Sequence, residues 1–146
     1  MPPQRGYTIR IFFPDSTPDG LWIVDKPNWS GVAVSCPRTL LNEKRSRPEF
    51  SRPGVYLLVG SEDGIIQKLY VGEGDPIMPR LTDHLAKKDF WTRVVFFTSK
   101  DESLHKAHIQ YLEARLTQIA AQNKVVDWQG PRFSDTLSHF IPLRIC

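Results

Sequence analysis

Two apolar runs with a tight cluster of turn residues between them constrain this chain most. Gly54-Val55-Tyr56-Leu57-Leu58-Val59 is rich in β-branched and aromatic residues, and Ile65 to Val71 forms a second such run. Between them lies Ser61-Glu62-Asp63-Gly64, a run of turn formers. The pattern predicts a β-hairpin whose outer ends carry Tyr56 and Tyr70.

The flanking chain reads in the same way. Thr8-Ile9-Arg10-Ile11-Phe12-Phe13 and Leu21-Trp22-Ile23-Val24 are separated by Pro14 to Gly20, which predicts a hairpin over residues 8–25. Gly31 to Ser35 predicts a third short strand, and Thr39 to Ser46 a short basic helix behind Pro37. Arg45 to Pro53, polar with two prolines, reads as a linker or irregular connection. After the central hairpin, Asp75 can cap a helix with Pro76 in its first turn, and Ile77, Leu81, Leu85 and Lys88 hold one face. Arg93 to Thr98 predicts a strand. Ser99 with Glu102 fits a capping box for a long helix ending near Gln122. The order β-β-β-α-β-β-α-β-α implies an α+β fold, a small antiparallel or mixed sheet flanked by helices with a hairpin segment in front.

Composition removes several classes. At 146 residues the chain fits one domain, perhaps with a small appendage, and its 40% hydrophobic content is too high for a disordered polymer. No apolar run approaches the ~18 residues of a membrane span, and Met1 to Arg5 opens without the apolar stretch of a signal peptide, so a cytoplasmic location and no membrane partner are expected. Cys36 and Cys146 do not make a disulfide framework. The net charge of +3 permits a polyanionic partner without requiring one.

Chemistry-bearing side chains cluster beside the predicted helical stripes. Arg80 and His84 are four residues apart and share a flank. Glu113, three residues before Leu116, borders a buried stripe, where its carboxylate needs an arginine, a lysine or a metal. Each has a plain structural reading on its own: Arg80 and Glu113 in ordinary ion pairs, the tyrosines in cross-strand packing. His105 and His108 lack an evident third ligand for zinc, and Cys36 lacks a base partner.

In combination they are more specific. Gly54-Val55-Tyr56, Tyr70-Val71-Gly72 fourteen residues after the first tyrosine, Arg80, His84 and Glu113 together resemble the GIY-YIG nuclease family, with valines where the family name has isoleucines. The resemblance spans about residues 53–122 and implies a nuclease core over residues 53–123, after a β-rich front segment of residues 1–52 and before a tail of residues 124–146. It implies a metal-dependent endonuclease that hydrolyses DNA phosphodiesters with one divalent cation, Mg²⁺ or Mn²⁺, held by Glu113. Arg80 would bind the phosphate. Tyr70 or Tyr56 would orient the attacking water, with Tyr70 the favoured base, His84 assisting, and His84 itself the alternative base. Gly54 and Gly72 belong to the motif backbone.

For substrate grip, Lys88, Arg93, Lys100 and Lys106 (with Lys87) can contact DNA phosphates, or can be solvated helix faces. Trp91 reads as core packing rather than base stacking. The family commonly has an asparagine after the glutamate helix; here Gln129 is the nearest counterpart by position and Asn123 a second. A non-catalytic nucleic-acid-binding or adaptor module that keeps the fold is the competing reading. The DNA is single- or double-stranded, and a protein partner or a homodimer can form through the front segment or the tail.

Overall fold

The computed structural model describes residues 5–101, 114–116, 118, 127 and 128. Its centre is one seven-stranded sheet. The strands are β1 (Arg10–Phe12), β2 (Trp22–Asp25), β3 (Gly31–Pro37), β4 (Gly54–Glu62), β5 (Ile65–Gly74), β6 (Arg93–Ser99) and β7 (Asp127–Trp128). They lie in the order β1-β2-β3-β6-β4-β5-β7. The first six are antiparallel to their neighbours, and β7 runs parallel to β5. Helices α1 (Leu41–Lys44) and α2 (Ile77–Lys87) accompany the sheet, so the fold is a mixed α+β fold. Among the described residues, no helix is long and apolar enough to cross a membrane.

The central hairpin forms where the apolar runs require it, and its turn is tighter than the sequence implied. β4 continues to Glu62, leaving Asp63 and Gly64 as the connection. Both have positive φ, 54° and 76°. That is the backbone of a two-residue hairpin turn whose twist matches its strands, and Gly64 adopts it without a Cβ penalty.

The front segment is hydrogen-bonded into the same sheet. β3 pairs with β6 over seven registered positions, from Gly31 opposite Ser99 to Pro37 opposite Arg93. The predicted short helix is reduced to a 3₁₀ turn (Arg38–Leu40) followed by α1. The stretch read as a linker contains a second 3₁₀ turn, Pro48–Ser51, and buries Phe50 completely, with its ring 4.9 Å from Phe96.

Strand alternation gives the sheet two different faces. Tyr56, Leu58, Val94, Phe96, Val34 and Cys36 point one way, beneath α1, α2 and the Phe50 turn, and form the main core. Val55 and Val71 point the other way and pack with Leu57 and Leu116. Ala114 to Leu116 and Gln118 are helical, within the expected long helix, most of which lies outside the described residues. Two expected caps differ. Asp75 does not cap α2: Pro76 is the residue before the helix, and the Ile77 N–H donates to the Arg52 carbonyl at 3.1 Å. Ser99 ends β6, and its hydroxyl donates to the Asp101 carbonyl, while Glu102 lies outside the described residues.

Because Phe50 fills the space between the connection and the sheet, Phe50→Ala is expected to lower unfolding free energy by about 3–5 kcal/mol, measured by urea denaturation. A change under about 1 kcal/mol would return residues 45–53 to the status of a linker.

Candidate active site

Three elements bring four of the expected residues together. Tyr56 rises from β4, Tyr70 from β5, and Arg80 with His84 from one flank of α2. The pairing places Tyr56 opposite Gly72 and Tyr70 opposite Leu58, so both phenols stand on the face that α2 covers.

Gly72 is required by proximity. A Cβ there would run into the Tyr56 hydroxyl and ring, so any side chain would displace the phenol. Gly54 acts one step further back. A Cβ there would meet the Phe97 carbonyl and the Ile77 side chain, where α2 begins against the sheet.

The rings form a compact cluster. Tyr56 and Tyr70 stack with centroids 6.3 Å apart, and the His84 ring lies 5.4 Å from Tyr56 and 5.0 Å from Tyr70. The Tyr56 hydroxyl and His84 Nε2 share a buried hydrogen bond of 2.6 Å. Either the phenol donates to Nε2, or a protonated Nε2 donates to the phenolic oxygen; the imidazole tautomer decides which. The exposed Arg80 guanidinium lies close enough to Tyr56 for the two to interact electrostatically. The Lys88 ammonium lies over the Tyr70 ring, 4.6 Å from its centroid.

Electrostatics follow from this crowding. Burial holds the His84 pKa down to about 4, with the positive charges of Lys88 and Arg80 acting in the same direction. His84 is therefore neutral at pH 7. The Arg80 pKa is raised, chiefly by Coulombic attraction to Tyr56.

The other expected residues divide clearly. Lys88 is at the cluster. Arg93 is not, for strand parity sends it to the opposite face with Val95 and Phe97. Its guanidinium donates to the Gly20 carbonyl at 3.3 Å and to Ser35 Oγ at 2.8 Å, and it sits over the Trp22 ring. Lys100 is also elsewhere, 3.1 Å from Asp25 in an ion pair that links the end of β6 to β2. Lys87 is exposed on α2. Trp91 is a core residue, 1% exposed, whose indole donates to the His84 carbonyl at 3.3 Å. Glu113, Lys106, Asn123 and Gln129 lie outside the described residues, as do His105 and His108.

A divalent cation needs hard oxygen ligands. The clustered residues offer phenolic oxygens and one imidazole but no carboxylate, and the expected carboxylate, Glu113, lies outside the described residues. Among the described residues, no three His, Cys, Asp or Glu side chains converge. One contributor had no local sequence signal: Arg38, whose guanidinium reaches the Leu85 and Lys88 carbonyls at 3.0 and 2.7 Å from 47 and 50 residues away.

No family model, curated protein or solved structure matches this chain.

His84 also has a stability signature. Between pH 6.5 and about 4 the unfolded chain takes up a proton that the folded site refuses. Folding stability is thus fully present above pH 6.5 and is lost on acidification toward pH 4, by up to about 3 kcal/mol. Urea titrations across this range should show that slope in the wild type and a shallower one in His84→Phe. Equal slopes would mean that His84 is not buried neutral against Tyr56.

Proposed function

We propose that this chain is a metal-dependent endonuclease of the GIY-YIG type that hydrolyses DNA phosphodiesters. The observation that carries the reading is the convergence of Tyr56, Tyr70, Arg80 and His84, from β4, β5 and α2, into one hydrogen-bonded and stacked cluster. Sheet packing alone does not require a buried phenol to bond a histidine with an arginine's charge beside it.

Roles follow from exposure. Tyr56 is fully buried, so its hydroxyl meets no water; it orients Arg80 and His84. Arg80 is exposed and carries five N–H donors in a planar fork. With Tyr56 beside it, this fork receives the phosphate and follows its growing negative charge. Tyr70 is only half-buried and so is the phenol that attacking water can reach. Ionising a phenol at pH 7 costs roughly 4 kcal/mol, set by the ~3 units between its usual pKa and neutrality. Lys88, over the Tyr70 ring, supplies positive charge that offsets part of that cost. Neutral His84, with its pKa near 4, is too weak a base to take the water's proton at pH 7, and serves as a hydrogen-bond partner. A divalent cation on Glu113 would supply Lewis-acid stabilisation of the phosphate and the leaving oxygen.

Plasmid and oligonucleotide cleavage in Mg²⁺ or Mn²⁺ tests this. Wild type should nick DNA only with metal, while Arg80→Ala and Glu113→Ala should each lose about 10²–10³-fold or more. Tyr70→Phe should fold normally and lose about 10²–10⁴-fold. Cleavage surviving both Arg80→Ala and Glu113→Ala would refute the proposed centre. DNA binding without cutting on any substrate would favour the non-catalytic adaptor.

A further inference from the structure

The segment in front of the predicted nuclease core contributes one side chain to the end of α2 that the proposed chemistry does not use. Arg38 follows β3 directly, and its backbone N–H donates to the Thr92 carbonyl at 2.9 Å, which fixes where the side chain starts. Its guanidinium then spans three carbonyls of the chain leaving α2. Nη2 donates to Leu85 at 3.0 Å, and Nη1 donates to Lys88 at 2.7 Å and, more weakly, to Trp91 at 3.4 Å. The planar group also lies over the Trp91 ring, 4.6 Å from its centroid.

A helix C-terminus leaves carbonyls without intrahelical partners and carries partial negative charge, so a cation there is favourable. The residues tied down here are the informative part. His84 and Lys88 are the two side chains on this turn that touch the tyrosines. The His84 carbonyl accepts from the Lys88 N–H at 3.0 Å and from the Trp91 indole at 3.3 Å, and Arg38 holds both donors' residues through their own carbonyls or ring. The chain thus runs without a gap from Arg38 to Lys88 and Trp91, and from these to His84 and Tyr56.

We propose that Arg38 is a positioning residue that locks the end of α2, so that His84 and Lys88 stay against Tyr56 and Tyr70. The front segment is then a working part of the centre and not an appendage to it. The catalytic consequence rests on the nuclease reading above; the positioning itself does not.

The test separates the two. His84 ring resonances are followed by NMR against pH in the full chain, in wild type, Arg38→Lys, Arg38→Met and the control Arg93→Met. The control removes a different half-buried guanidinium, on the other face of the sheet. In Arg38→Met the His84 midpoint should climb from about 4 toward the ordinary value near 6.5, as the freed turn admits water. Arg38→Lys keeps the charge without the fork and should lie between wild type and Arg38→Met. Arg93→Met should lower the melting temperature and leave the His84 midpoint in place. Should Arg38→Met fail to fold, the Arg38→Lys midpoint decides: a rise supports the lock, and a wild-type value overturns it. A folded Arg38→Met with wild-type His84 titration likewise overturns it, whatever the cleavage result. Where wild type cleaves DNA, Arg38→Met should lower kcat about 10- to 100-fold with little change in KM. A purely scaffolding arginine would change neither kcat nor the midpoint, whereas an inactive wild type bears on the nuclease reading alone.

Discussion

The hydrogen bond between Tyr56 and His84 joins the sheet to α2 inside the main core. Both partners are buried, and each would be costly there without the other. Much of the surrounding structure serves that contact. Gly72 leaves the space for the phenol, Gly54 lets the start of α2 approach the sheet, and Trp91 closes the far side by binding the His84 carbonyl. Arg80 completes the set by bringing its positive charge to Tyr56 from one turn earlier on α2.

The molecule's modest positive charge is deployed unevenly around this point. Arg80 and Lys88 flank the two tyrosines, where a cation favours a phenolate and attracts a phosphate. Other cations do structural work instead. Arg10 and Lys100 both pair with Asp25 and hold its carboxyl below the usual range, while Lys44 pairs with Asp15 beneath the front loop. Net charge alone therefore overstates the surface available to a polyanion. The local pair at the cluster is what the proposed phosphodiester chemistry would draw on.

Much of this was legible in the sequence, for identifiable reasons. The central hairpin showed because its apolar runs and turn agree locally, and α2 because Ile77 and Leu81 keep helical spacing on its buried side. The four-residue cluster was legible as a set of types and spacings, before any distance existed. Phe50 was hidden: a single aromatic between prolines has no periodicity, and only the distant Phe96 explains its burial. The loss of Arg93 from the site was recoverable, since period two places it with Val95 and not with Phe96. Arg38 was not recoverable, because all its partners lie about 50 residues away in the chain and its value depends on the end of a helix it does not belong to.

The central claim is that this cluster receives a DNA phosphate beside a divalent cation. Anomalous diffraction from a crystal of the chain with Mn²⁺ and a non-hydrolysable DNA duplex tests it most directly. The manganese peak should lie on Glu113 beside Tyr70, with the target phosphate on the Arg80 guanidinium. Manganese and DNA bound together at any other surface, with Tyr56, Tyr70, Arg80 and His84 uncontacted, would contradict it.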